Sequence, residues 1–241
     1  MRDQQGMSRS QTLFQLQQYD TNLDSSFRRI AEIDILISDT SDLDNLHLIQ
    51  DQRKREFDEK QTELRSAENQ VKDQNFKIEQ NEKKLYSGMI TNPKGLEDLQ
   101  LESESLKKYL TVLEERQLEA MLVSDQAQSQ YDEITAKVDD LSQQKDSVNN
   151  DLLTENNKLK EQIAITEKER IQYLEANAIP DLSIYNKLRE SLGGIAVTIM
   201  TLSSCSSCGA NIPSAIEQEA RSPGNLSNCP TCKRILHPGT T

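Results

Sequence analysis

The stretch LYSGMITNPKGLEDL, from Leu85 to Leu99, decides the fold, because it interrupts an otherwise unbroken helical text. The run Ser8 to Tyr86 before it and the run Leu96 to Ile179 after it contain neither Pro nor Gly. They hold about 79 and 84 residues, or roughly 120 Å each as α-helix at 1.5 Å per residue. Gly88 suits the left-handed position that ends a helix, while Asn92 and Pro93 suit the N-cap and first helical position of the next. Ser8 with Gln11 makes a capping box where the first run begins. Two arms of near-equal length joined by a turn at 87–95 should fold back on each other.

Periodicity supports this independently. Leu99, Leu106, Leu113, Ala120, Ala127, Ile134, Leu141 and Val148 recur every seven residues in the second arm, and Phe57, Leu64, Val71, Ile78 and Leu85 do so in the first. A hairpin centred on Asn92 pairs Leu85 with Leu99, Ile78 with Leu106, Val71 with Leu113, Leu64 with Ala120 and Phe57 with Ala127. It also pairs Leu46 with Val138 and Leu43 with Leu141. Large residues opposite small ones let knobs interdigitate. Other layers of the seam are polar: Arg53, Lys60, Gln74 and Asn81 face Tyr131, Ser124, Leu110 and Ser103, which costs stability but fixes register. Leu16, Leu23, Ile30 and Ile37 keep a different phase, and the change falls in Ser38-Asp39-Thr40-Ser41-Asp42, poor helix formers that predict a stutter or kink.

Composition agrees with a thin seam and excludes a thick core. Apolar residues make up 34%, aromatic residues 4% and charged residues 28%, with no Trp. The formal charge is −12. From Gly193 onward there are only Arg221, Lys233 and Arg234 against Glu217 and Glu219, so the acidity belongs to the arms, which phosphate backbones and anionic lipids would repel. No secretory apolar segment follows Met1 and no run approaches the length of a membrane span, so the expected compartment is the cytoplasm.

All four cysteines lie in the last forty residues, as Cys205-x-x-Cys208 and Cys229-x-x-Cys232. Two such pairs bring four thiolates to the corners of a tetrahedron, the arrangement of one structural zinc ion. Four thiolates leave no open position for catalysis, and a dithiol redox site would need only one pair. Around them, Pro180 ends the second arm. Asp181 to Leu192 reads as a short helix with Ile184, Tyr185, Leu188 and Leu192 on one face. Gly193-Gly194 breaks it, and Ile195 to Leu202 reads as a strand. Pro213 to Ala220 reads as a short helix or turn, and Ile235-Leu236 as a second strand. Gly209 supplies a positive φ after the first pair. His237 and His47 are both expected to face solvent.

These motifs together resemble the bacterial coiled-coil hairpin family with a C-terminal four-cysteine zinc ribbon. The resemblance covers nearly the whole chain. It rests on Leu85-Tyr86-Ser87-Gly88, Ile90-Thr91-Asn92-Pro93-Lys94 and Leu96-Glu97-Asp98-Leu99-Gln100 at the tip. Further along it rests on Tyr185, Leu188-Arg189, Gly194 and Ala196-Val197, then on Ile212-Pro213, Arg221, Cys229-Pro230 and Arg234-Ile235-Leu236. The chain departs at Lys233, where the family favours Gly, and at His237, where it favours Tyr. These departures imply a strained turn and the loss of a final aromatic contact. The resemblance implies non-enzymatic partners of a sigma-54-type transcription factor, linked to flagellar or type III secretion export components.

The expected fold is therefore mainly α, a long antiparallel two-helix coiled-coil hairpin over 8–179 with its tip at 87–95. A short helix and small β zinc ribbon follow over 180–241. The expected function is a cytoplasmic adaptor or chaperone for protein partners, with no catalytic residues and one structural zinc on Cys205, Cys208, Cys229 and Cys232. Asn92, Pro93 and Lys94 at the tip and Arg221, Lys233 and Arg234 in the ribbon are the candidate partner-binding residues. Leu118, Met121, Leu122 and Val123 form an apolar stripe beside the seam, read as a widened seam, a homodimer contact or a docking surface. The alternative function is a nucleic-acid-binding ribbon regulator, disfavoured because the ribbon offers three basic residues and no aromatic for stacking. No acid–base pair, nucleophile triad or phosphate loop marks an enzyme.

Overall fold

Helix boundaries follow the local chemistry. In the computed structural model, which describes residues 7–239, Ser8 Oγ accepts the Gln11 N–H at 3.2 Å and opens α1 (Arg9–Ser38). Thr240 and Thr241, at the end of the second expected domain, lie outside the described residues. After α2 (Ser41–Tyr86), Gly88 takes φ +72, and α3 (Pro93–Ala176) opens with the Lys94 N–H on Asn92 Oδ1 at 3.2 Å. The chain is a long helical hairpin followed by α4 (Leu182–Ser191), β1 (Val197–Thr201), β2 (Ser204–Cys205), α5 (Ser214–Arg221) and β3 (Ile235–His237). It divides into two compact units, one of Asp39–Val148 and the other of Met1–Ser38 with Asn149–Thr241.

In the first of these units α2 runs antiparallel to the first two-thirds of α3. The cross-helix contacts bracket the predicted register. Asn81 Nδ2 donates to Glu102 at 2.8 Å and Arg53 to Gln130 at 3.1 Å, each one residue from ideal pairing on one side. Gln50 donates to Thr135 at 3.0 Å, one residue off on the other. Of the polar layers, Gln74, Asn81, Ser103 and Ser124 are at least nine-tenths covered, whereas Arg53 and Lys60 are only half-buried. Gln74 Nε2 satisfies itself on the Leu106 carbonyl at 3.0 Å. Phe57 adds a stacking contact with Tyr131, their ring centroids 6.3 Å apart. His47 faces solvent as read from the sequence.

Leu118, Met121, Leu122 and Val123 are exposed, Leu122 at 71%, so they do not widen the seam. Val148 is also a correction. It stands 56% exposed, and the buried phase of α3 passes instead from Leu141 through Lys145 to Asn149 and on to Leu152 and Asn156. Two steps of four residues replace the usual three and four, a stutter that lets the helix unwind slightly.

The first arm breaks at the matching level. Asp39 and Thr40 leave the helix, and the Asp39 carboxylate takes the Ser41 N–H and hydroxyl at 3.1 and 2.6 Å. Those bonds hold its pKa below the ordinary carboxylate range. Lys145 crosses from α3 to donate to the freed Asp39 carbonyl at 2.6 Å. The phase change predicted in 38–42 is thus an interruption of α1–α2 with a lysine serving the orphaned acceptor.

In the second unit α1 packs on the last part of α3, on α4 and on a three-stranded sheet ordered β2-β1-β3. β1 pairs antiparallel with β2 and parallel with β3. Strand alternation divides the work between two faces. Val197 and Ile235 join Leu13, Leu16, Tyr185 and Ala196 in a core against α1, while Met200 and Leu236 point to the opposite core with Cys205, Ile212, Ala220 and Cys229. On α4 Tyr185 is fully buried and Leu188 half-buried, as is Leu192 just past its end, but Ile184 is 48% exposed and lies off the face assigned to it.

The β1–β2 turn carries Leu202 at φ +50 and Ser203 at φ +58, a two-residue turn that ordinarily takes Asn-Gly. Replacing Leu202-Ser203 by Asn-Gly should raise stability by about 1 kcal/mol by relieving that strain, measured by thermal unfolding. The register has a separate test. A Leu64→Cys/Ala120→Cys variant should crosslink on mild oxidation, and a Leu64→Cys/Ala127→Cys control, two helical turns away, should not. Peptide mapping of the linked products reads both.

Candidate metal centre

One cysteine comes from a strand of the small sheet and the other three from the turns beside it. Cys205 ends β2, and Gly209 at φ +72 turns the chain so that its own N–H returns to the Cys205 carbonyl at 2.7 Å. Cys229 lies before the second turn, where the Lys233 N–H returns to the Cys229 carbonyl at 3.0 Å with Lys233 at φ +64. Lys233 therefore occupies a left-handed position that Gly would take without strain, as its departure from the family pattern implied. Its ammonium closes on the Pro230 carbonyl at 2.8 Å.

The four Sγ atoms lie within 4.8 Å of one another. Cys205–Cys232 and Cys208–Cys229 are both 3.7 Å apart. Four sulfurs set about 2.3 Å from one central ion stand roughly 3.8 Å from each other in a tetrahedron. A disulfide needs about 2.05 Å, so the spacing is that of ligands, not of bridges. The electrostatics agree. Burial opposes ionisation of Cys205, but the N–H groups of Cys208 and Ser207 and the Thr198 hydroxyl outweigh it and lower its pKa to about 6. The Ala210 N–H favours the Cys208 thiolate, yet burial and the three neighbouring sulfurs prevail and push it up to about 12. Cys205 thus ionises readily while Cys208 resists, and a cation held between the sulfurs would favour the thiolate form of both. The donor set thus fits a structural metal.

The other face of the sheet is held by α1 in a way the sequence did not reveal. Gln17, 95% buried, accepts the Ala196 and Val197 N–H groups on Oε1 at 2.7 and 2.6 Å. Its Nε2 donates to the Val197 carbonyl at 2.7 Å, so one amide completes the end of β1 as a neighbouring strand would. Arg9 grips Asp181 at the start of α4 and the Gly224 carbonyl at 2.9 Å. Asp20, 97% buried, accepts from Arg170 at 2.6 Å and from the Tyr185 hydroxyl at 2.7 Å. Burial and the Asp20 carboxylate together raise the pKa of Tyr185 well above its ordinary value. Asp24 accepts from Arg189 at 2.5 Å, and the trace of this network in α1 is the polar set Gln17, Asp20 and Asp24 on an apolar helix face.

His237 corrects its expectation. It is buried in β3, stacked on Phe14 with centroids 4.8 Å apart and with Nδ1 3.4 Å from Ser10 Oγ. The aromatic contact thought lost is made by an imidazole, because register with Ile199 turns position 237 toward α1. The ribbon arginines are also committed. Arg221 pairs with Glu217 at 2.7 Å, and Arg234 donates to the Ile195 and Leu192 carbonyls, both at 3.0 Å. Asn92, Pro93 and Lys94 remain exposed at the turn.

A helical hairpin whose C-terminal sheet gathers four cysteines is a recognisable class of protein. A family model described as the CT398-like coiled coil hairpin domain matches residues 9–193, and this chain belongs to that family. Among solved structures, a protein of Mycobacterium smegmatis aligns with TM-score 0.63 at 19% identity, covering 95% of this chain and 97% of the other. CT398 from Chlamydia trachomatis aligns with TM-score 0.54 at 16% identity over 96% and 98%. HP0958 from Helicobacter pylori gives 0.47 at 20% identity over 98% and 100%. The first two of these likenesses show the shared fold. No curated protein matches the sequence.

Two outcomes follow from this site. Burial lowers the pKa of His237 from its ordinary 6.5, so the unfolded chain binds the proton first. Its stabilisation is complete above pH 6.5 and is lost as pH falls below that value. Relative to wild type, a His237→Phe variant should lose less stability between pH 7 and 5, read by denaturant unfolding. A Gln17→Leu variant leaves two N–H groups and one carbonyl unserved and should cost ~2 kcal/mol or more, with amide exchange rising at Ala196 and Val197.

Proposed function

We propose that this chain is a non-enzymatic adaptor whose metal-stapled head presents itself to other proteins. The observation that carries the reading is Leu202. It is 96% exposed, held at positive φ in the turn that leads into Cys205, where a smaller polar residue would be less strained. An apolar side chain kept there at a conformational cost is suited to a partner's pocket. The four thiolates form a closed shell, most consistent with one zinc ion, which supplies rigidity when bound and offers no open coordination position.

The motif-level resemblance at the tip and ribbon supports a sigma-54-type transcription factor or export-apparatus components as the partners, in the cytoplasm. The nucleic-acid alternative loses support because Arg221, Lys233 and Arg234 are each engaged within the head. Among the described residues no helix is long and apolar enough to cross a membrane.

Elemental analysis of the purified protein should find one zinc per chain, and Cys229→Ser should abolish it. The tagged chain should capture a sigma-54-type factor or an export component from native extract, and Leu202→Asp should weaken that capture with zinc content unchanged. Undiminished capture by Leu202→Asp would remove Leu202 from the reading, and a bait that captures neither partner would overturn it.

A further inference from the structure

A groove of about 230 Å³ lies on the Asp39–Val148 unit, a few helical turns from the hairpin turn, lined by Phe76, Lys77, Gln80 and Lys84 of α2 with Glu102 and Leu106 of α3. We propose that it docks an acidic peptide segment of a partner protein, with an apolar side chain seated between Phe76 and Leu106 and carboxylates held by Lys77 and Lys84. The proposal rests on the adaptor reading and adds the chemistry of one partner to it.

The size of the groove argues for a side chain. Sites for small ligands run about 300–1,000 Å³, whereas this volume suits one or two apolar side chains. Its wall is already apolar and open, since Phe76 is 60% exposed and Leu106 half-buried. Spacing then supplies the charges. Positions 77, 80 and 84 fall on one helical face, and the two lysines stand two turns apart, roughly 10 Å.

Their neighbours Lys83 and Lys107 are paired with Glu79 at 2.5 Å and Glu82 at 2.8 Å. Among the described residues, Lys77 and Lys84 form no ion pair. The one carboxylate of the lining, Glu102, accepts the Asn81 amide on one oxygen at 2.8 Å and keeps its charge, so the two lysines leave the lining with a net charge of +1. The groove therefore presents two uncommitted cations beside an apolar floor.

The charge of the whole chain points the same way. Residues 72–112 contain seven lysines and seven acidic residues, so the net −12 lies entirely outside them. An acidic segment meets less repulsion here than along the rest of the hairpin. Nucleic acid is a poorer fit, because the segment holds no Arg and its acidic residues are interleaved with the lysines. An anionic membrane surface calls for a cluster of four to eight basic residues with a net positive charge, which this balanced segment lacks.

The test uses the full-length, metal-loaded chain and fluorescence anisotropy. The probe is a short labelled helical peptide with Leu along one face and Glu flanking it, compared with the same peptide carrying Lys for Glu. The acidic peptide should bind at least about tenfold more tightly, with affinity falling as salt is raised. Lys77→Glu/Lys84→Glu should lose at least about tenfold while circular dichroism stays unchanged, and Phe76→Ser should weaken binding without altering its salt dependence.

Equal binding by the double variant, a preference for the Lys peptide, or no binding of the acidic peptide would each overturn the proposal. So would binding only to polyuridine, or only to vesicles of one-third phosphatidylserine in phosphatidylcholine. A wild-type chain that captures native partners yet ignores the acidic peptide loses the groove and keeps the adaptor reading. A chain that binds the peptide but captures no partner does the reverse.

Discussion

Three strands of five, two and three residues cannot stand alone in water, because so small a sheet buries too little to offset the ordering of its backbone. Everything at the C-terminus follows from that deficit. On one face four sulfurs gather from β2 and from the two turns. On the other α1 closes the sheet with Leu13, Leu16 and the Gln17 amide. Strand alternation sends Ile235 and His237 to the helix and Leu236 to the cysteine side, so β3 is fastened from both directions. The first helix of the chain and its last strand are therefore one folding unit, joined across more than two hundred residues.

The buried polar groups on α1 give this closure its geometry. Apolar packing alone would let α1 slide along the sheet, since Leu contacts are non-directional. Gln17 offers one acceptor and one donor to a single strand end, and Asp20 can accept from Arg170 and Tyr185 only in one arrangement. Because a buried group left unserved costs more than a served one contributes, these contacts select against shifted packings. The hairpin uses the same device in Gln74 and Asn81. Polar layers in a thin seam weaken it and fix its register.

The arms were legible because coiled-coil pairing is a local code repeated many times. Gly88, Asn92 and Pro93 set the turn, and heptads from Phe57 to Leu85 and from Leu99 to Leu141 set the register within one residue. Val148 misled for a physical reason: a residue can continue a numerical repeat after the helix has rotated away from it, and the stutter at 145–149 is invisible without its partner arm. The cysteine spacing announced the donor cluster, and the positive φ at Lys233 was foreshadowed by the absence of Gly there. His237 looked like a tail residue because nothing in five neighbouring letters says that Phe14 will cover it.

By itself, then, the sequence determined what repeats or is chemically singular: the two helical arms, the turn between them, the polar layers and the four thiols. Tertiary structure alone decided which face of the small sheet meets α1, that Gln17 would serve as a substitute strand, and that Lys77 and Lys84 would be left without partners while Lys83 and Lys107 are paired. The division has one cause. Periodic burial and metal ligation are encoded over short separations, whereas the contacts of Gln17 and His237 join residues about 180 and 227 positions apart, where no local pattern carries information.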